Sequence, residues 1–338
     1  MRMSRKSLFY LRRGKGLNYF GTATALASAR YQLAAASVGD YALAIGGYST
    51  VARNVVDAYD TSLQRSAPVV ALSAGNTELV AAGVGDYALA MGGYGNKPLG
   101  TVEAYNSSLQ KSSPSALTVA RFQLAAASVG NYALAMGGYT GSASTEVNAY
   151  NASLQRQGNM ALNVARYRLA AASVGNYVLA MGGYTGSASN VVEAYNTSLQ
   201  RSTPTALSVA RYSLTATSVG DYALAMGGMT ASSVSNVVDA YNISLQRSTP
   251  TALSVARREL AAAGIAGYAL AMGGMASSVS NVVDAYNASL QRSTPTVLSA
   301  ARYSLAAAGV GDYALAMGGA MSSGGGDVSA VVDVYQVI

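Results

Sequence analysis

The 338-residue chain contains no cysteine, no histidine and no tryptophan. Those absences remove thiol nucleophiles, imidazole bases, disulfides and every Cys/His metal constellation, and most enzyme classes go with them. Without cysteine there is neither a disulfide framework nor a reduced thiol set from which to read a redox compartment. Charged residues are scarce at 11%. Long apolar runs are missing too: Gly, Asn or Asp interrupts each one within about ten residues, well short of the roughly 20 that cross a bilayer. The apolar stretch Ser7 to Leu11 is too short for a secretion signal and runs into Arg12-Arg13 instead of a small-residue cleavage site. Neither a signal peptide nor a membrane partner is expected.

The net charge of +7 is unevenly placed. Arg2, Arg5, Lys6, Arg12, Arg13 and Lys15 stand with no acid among the first 16 positions, while the remaining 16 basic and 15 acidic residues nearly cancel. A phosphate-binding groove needs Lys and Arg clustered on the folded part. Residues 1–16 are therefore read as a basic N-terminal arm, solvated or docked on a partner, and nucleic acid is not expected to bind except through it.

Against these absences stands one dominant presence, a repeat. Gly-Gly pairs fall at 46/47, 92/93, 137/138, 182/183, 227/228, 273/274 and 318/319, a spacing of 45 or 46 throughout. In the fourth copy the pattern predicts a first strand over Tyr167 to Ser173 and a tight turn at Val174-Gly175-Asn176. It then predicts a second strand over Tyr177 to Met181, a third over Val191 to Tyr195, and an outer strand over Leu199 to Ser208 that tolerates Pro204 at an edge. Units of about 45 residues with four strands are propeller blades, because each small sheet buries its faces only against its neighbours.

The Gly-Gly doublet closing an apolar second strand, a Tyr twelve or thirteen residues later in most copies and an Arg opening the next unit resemble the kelch repeat, over residues 17 to 338. The resemblance implies an all-β fold: a seven-bladed β-propeller of four-stranded antiparallel blades, forming a single domain over 17–338. Kelch units usually carry a Trp a few residues after the Tyr. Here Leu63, Leu109, Leu154, Leu199, Leu245 and Leu290 take that place and are expected to plug between blades. The seventh copy ends at Ile338 without an outer strand, and Thr22 to Arg30 aligns with Thr203 to Arg211. Leu17 to Leu26 is thus expected to supply the outer strand of the last blade and close the ring.

Positions repeated in nearly every copy are read as scaffold. Tyr41, Tyr87, Tyr132, Tyr177, Tyr222, Tyr268 and Tyr313 begin the second strands, and Tyr59, Tyr105, Tyr150, Tyr195, Tyr241, Tyr286 and Tyr335 end the third. Arg30, Arg121, Arg166, Arg211, Arg257 and Arg302 form either a basic ring on one face or, the favoured reading, structural pairs with Asp57, Glu103, Glu193, Asp239, Asp284 and Asp333 or with backbone carbonyls. Binding is sought in what varies. The loops after the second strands begin with Tyr48, Tyr94, Tyr139 and Tyr184, then Met229, Met275 and Ala320, and share a face with the connections between blades. Two of them break the symmetry, the loop with Asn96 and Lys97 and the longest one, Ala320 to Ala330, with Asp327. The tyrosines there either stack on a ligand or fold over their own loops.

Other motifs fail. Asn-x-Ser triplets recur because the turn favours Asn and Ser; no phosphate loop exists; Asp327 with scattered carboxylates does not make a calcium loop. No cofactor is expected. The recurring acids occupy equivalent blade positions and so do not form a hydrolytic pair, and the copper radical oxidation known in some kelch enzymes needs His and Cys. The Ala-rich repeats resemble kelch chains of bacteria and their phages. That resemblance implies a non-enzymatic virion protein of capsid decoration, tail or host-surface-binding type, sited on the virion or in the producing cell's cytoplasm. Its partners would be a capsid or tail protein, through the arm and loop face, and a host glycan. An intracellular interaction scaffold and a carbohydrate-active enzyme are the alternatives.

Overall fold

The computed structural model describes residues 16–66 and 70–338, all of them strands, turns and connectors. Seven four-stranded antiparallel sheets are present. In blade 1 the strands run from the axis outward as Ala34–Val38, Tyr41–Ile45, Val56–Asp60 and Arg65–Ser66. The innermost strand of each blade lies against that of the next, and blade 7 lies against blade 1.

The alanine content follows from how the blades stack. Both faces of every second strand are buried, and they differ in size. Leu43 and Ile45 of blade 1 press into Ala88 and Ala90 of blade 2; Leu89 and Met91 press into Ala133 and Ala135 of blade 3. The relation continues to Leu315 and Met317 of blade 7, which meet Ala42 and Ala44 of blade 1. A large face always meets a small one, so flat sheets close to interior density without bulky side chains. The leucines in the tryptophan place sit partly buried against the same seams, Leu63 at the seam between blades 7 and 1. Each lies at the end of a turn in the left-handed region, as Leu199 does at φ 60°, after an Asn side chain whose Oδ1 accepts the N–H groups of Ser198 and Gln200.

Closure is as expected in kind and shorter in extent. The N-terminal strand is Leu17–Ala23, with an irregularity at Phe20, and it pairs antiparallel with Val332–Val337, Leu17 opposite Val337. Leu26 is past the strand and buried at the seam between blades 7 and 1. The basic arm assigned to residues 1–16 lies, apart from Gly16, outside the described residues.

Other boundaries move for physical reasons. In blade 4 the first strand is Ala170–Val174, because Arg168 takes φ 51° and breaks the extended run that Tyr167 was expected to begin. The outer strand is only Arg201–Ser202. Pro204, with no N–H to give, ends the pairing there. Blade 3 has no proline in that segment, and its outer strand runs Arg156–Ala161. The Gly-Gly doublet has a steric cause. At Gly182 (φ 64°) a Cβ would come within 2.5 Å of the Arg211 carbonyl oxygen of the next blade, and the Gly183 N–H donates to that same oxygen at 2.8 Å.

The recurring arginines are structural. Arg30 is wholly buried, donates from Nε to the Gly46 carbonyl at 2.7 Å and lies 2.8 Å from Asp57. Arg166, Arg211, Arg257 and Arg302 pair likewise with Glu193, Asp239, Asp284 and Asp333. The carboxylates also reach back to the connector from the preceding blade, as Asp239 does by accepting the Ser208 N–H at 3.1 Å. Two blades break the set. Blade 2 keeps Glu103, held by Lys111 at 2.8 Å, but has Asn76 in the arginine place. Blade 3 keeps buried Arg121 but has Asn148 in the carboxylate place, and burial pushes that guanidinium down to about 10. Asn148→Asp is therefore expected to raise the unfolding free energy by about 1 kcal/mol, since it supplies a charge-assisted bond to a cation already buried. Asp239→Asn is expected to lower it by about 3 kcal/mol. Urea unfolding of both variants tests this, and a destabilised Asn148→Asp chain would contradict the pairing account.

Candidate functional site

The chain enters each blade at its upper edge, so the connectors and the loops after the second strands share one face, as expected. Bridges tie them together: Tyr31 to Tyr48, Phe122 to Tyr139, Tyr167 to Tyr184 and Tyr212 to Met229. The first member of each pair directly follows a buried arginine.

These residues make two concentric features. The outer one is an arc of six stacked rings. Tyr94 and Phe122 have centroids 5.0 Å apart, Phe122 and Tyr139 5.6 Å, Tyr139 and Tyr167 4.9 Å, Tyr167 and Tyr184 5.6 Å, and Tyr184 and Tyr212 5.0 Å. Within a blade the bridge brings two rings together; between blades the loop ring of one meets the entry ring of the next. The tilted and edge-on geometries are the favourable ones for such pairs. Tyr94 is 36% exposed and the other rings are half-buried. Sequence reasoning chose Tyr94, Tyr139 and Tyr184 and missed Phe122, Tyr167 and Tyr212, having read Tyr167 as the start of a first strand. The tyrosines thus do fold over neighbours, yet they do so as one continuous surface.

The inner feature is a closed ring of backbone bonds around the axis. Gln32, Glu78, Gln123, Arg168, Ser213, Glu259 and Ser304 all take φ between 48° and 54°. Each donates its N–H to the carbonyl of its counterpart in the preceding blade, from Glu78 to Gln32 at 3.1 Å around to Gln32 to Ser304 at 2.8 Å. Their side chains line a cup of about 270 Å³ over the channel mouth. Below it the channel wall is made of the innermost strands, Ala36, Ser37 and their equivalents, and Ser37 Oγ donates to the Gly309 carbonyl of blade 7 at 2.6 Å.

Within the cup the Gln32 and Gln123 amides donate to Glu78 Oε1 at 3.1 and 2.8 Å, and Arg168 Nε donates to Gln123 Oε1 at 3.2 Å. Opposite, Glu259 accepts from Ser304 Oγ at 3.0 Å and from Arg258 at 2.9 Å. Loss of water pushes the Glu78 carboxyl up; the Gln123 bond and Arg168 pull it down, and Glu259 pushes it up further. Two carboxylates thus meet in one cavity, although the acids had been expected to stay apart. Those singled out from the sequence, such as Asp239, do stay apart in their blades.

The remaining sequence candidates fall into three groups. Tyr48 stacks edge-on with Tyr31 at 5.8 Å, away from the arc. Met229 follows the arc at its blade-5 end, bridged to Tyr212, and Asn96, Lys97 and Asp327 are exposed on their loops. Met275 is a correction. It is 8% exposed and packs with Tyr303, Ala320, Tyr31 and Val279, so it is a small satellite core and offers no surface for a ligand. The cup residues were missed altogether; the signal available was the third position of the Arg-Tyr-x-Leu entry, which changes between every two neighbouring blades.

Among the described residues no helix is long and apolar enough to cross a membrane. A search among curated proteins finds no match. The family model of the Kelch motif matches residues 165–204, the whole of blade 4 up to Pro204. The same strand plan recurs in the other six sheets and closes on itself through the N-terminal strand. The chain is a kelch-repeat β-propeller.

Proposed function

We propose that the chain is a binding propeller whose loop face engages a partner without transforming it, and that the partner is a protein of a phage particle. The observation that carries the binding reading is the unbroken aromatic arc from Tyr94 to Tyr212, set beside the channel mouth. Aromatic side chains offer large contact area at low entropic cost and dominate interface energetics. Kelch propellers in general act as binding scaffolds. The particle setting is supported by the wording of the repeats, which resembles kelch chains of bacteria and their phages.

The full chain is expected to sediment with particles released by producing cells. The double variant Tyr139→Ala/Tyr184→Ala should remain folded by circular dichroism and bind those particles at least tenfold more weakly, as truncation of two anchors of about 1 kcal/mol or more each implies. A chain found free of particles would overturn the setting. A double variant that binds as well as the parent would overturn the assignment of the face.

A further inference from the structure

We infer that the axial cup is a saccharide subsite, taking the terminal pyranose of a neutral glycan carried by the partner that the loop face engages. This rests on the reading of the loop face as a binding surface. It begins with a choice the chain makes at the cup. A left-handed φ near 50° is cheapest for glycine, and this sequence uses glycine freely at such angles elsewhere, at Gly39 and Gly46 for example. None of the seven cup positions is glycine. Where another non-glycine residue recurs at such an angle, in the Leu63 series, it is always leucine and it packs a seam. At the cup the residue changes from blade to blade. Side chains retained against backbone strain, and changing between neighbouring repeats, are retained for what they present.

What they present suits a neutral polyol. The field of Arg168 acts on the Glu78 carboxylate inside the cup and Arg258 bonds the Glu259 carboxylate from beside it, so the cup carries no unbalanced charge for an ionic ligand. Hydroxyl groups both donate and accept, and the cup offers both kinds of partner. The two amide bonds to Glu78 fall on Oε1, which leaves its second oxygen for a hydroxyl. The volume of about 270 Å³ equals the liquid share of about nine waters, room for one hexose. Beside it the arc spans blades 2 to 5 only, so the partner that carries the sugar lies to one side of the cup.

Saturation-transfer NMR on the full chain with free glucose, galactose, N-acetylglucosamine and rhamnose tests this directly. At least one is expected to receive saturation, and the effect should fall at least tenfold in Glu78→Gln and in Ser213→Gln. Both variants place glutamine where blades 1 and 3 already carry it at the same angle, so both should melt like the parent. No transfer to any of the four sugars, or transfer unchanged in both variants, would overturn the proposal. If the sugars fail while the Tyr139→Ala/Tyr184→Ala variant still loses its particles, the saccharide assignment falls and the binding face stands.

Discussion

A chain lacking residues 1–28 is expected to lose cooperative unfolding, or to unfold with its stability reduced by about 5 kcal/mol or more, a large part of the 5–15 kcal/mol typical of a folded domain. The truncation removes the outer strand of blade 7 and leaves the backbone of Val332–Val337 unpaired on one side. It takes away the Tyr19 hydroxyl, which donates to Asp333 at 2.7 Å from the place that Arg65 and its equivalents occupy in other blades. It removes buried Leu26 from the seam between blades 7 and 1, worth about 2 kcal/mol of burial. It also strips the Thr24 carbonyl from buried Tyr59. Because each blade is covered only by its neighbours, loss at this seam weakens the ring where blade 7 meets blade 1 and leaves that junction to the inner strands. Circular dichroism melting and urea titration measure it; an unchanged midpoint and slope would refute closure by the N-terminal strand.

Alkali should unfold the protein abruptly, near pH 11. The seven tyrosines that end the third strands are buried to 1% exposure or less, and each donates its hydroxyl to a backbone carbonyl of the segment that leads into its own blade, as Tyr241 does to Thr205 at 2.8 Å. A phenolate cannot donate that bond. Burial pushes Tyr150 and Tyr195 up to about 12, and burial raises Tyr59, Tyr105, Tyr241, Tyr286 and Tyr335 in the same direction. A folded pKa above the unfolded one gives stability that is complete below pH 10 and is lost as the pH climbs towards 12. With seven such groups the unfolded chain releases up to seven more protons over that window, so stability falls by roughly 9 kcal/mol per pH unit. Burial lowers Arg121 to about 10 and lowers Arg166, Arg211, Arg257 and Arg302 in the same direction, so the buried guanidinium groups oppose this loss and the tyrosine figure is its upper bound. Absorbance at 295 nm and ellipticity should change together, more steeply than a single ionisation. A gradual titration of all 24 tyrosines near pH 10 with the fold intact would contradict the account.

Much of this architecture is legible in the repeat. The glycine doublets fix the ends of the second strands, and Tyr177–Met181 lies where the pattern puts it. The arginine pairs follow from the cost of burying a guanidinium, and the alignment of Thr22 to Arg30 with a later repeat reveals the closure. What escapes is conformation that residue type does not announce. Nothing in Gln32 or Glu78 signals a left-handed φ, so the cup reads as strand. The arc joins residues 28 apart, Tyr94 with Phe122, across a blade boundary that periodicity alone does not bridge. Met275 looks like its neighbours in the repeat and is buried because the longest loop leaves Ala320 and Tyr303 beside it.

The shared blade also sets an order of events in the cell. During synthesis Leu17–Ala23 is made before the other strands of all seven blades, and its partner Val332–Val337 follows about 15 to 65 s later at roughly 5–20 residues per second. Until then the earliest segment has no place to go, and six nearly identical blades can stack without their ring being sealed. Nascent chains of this protein are therefore open along one apolar seam until Val332–Val337 is made, which makes that seam the point where chaperones would act and where neighbouring chains on one message would exchange strands.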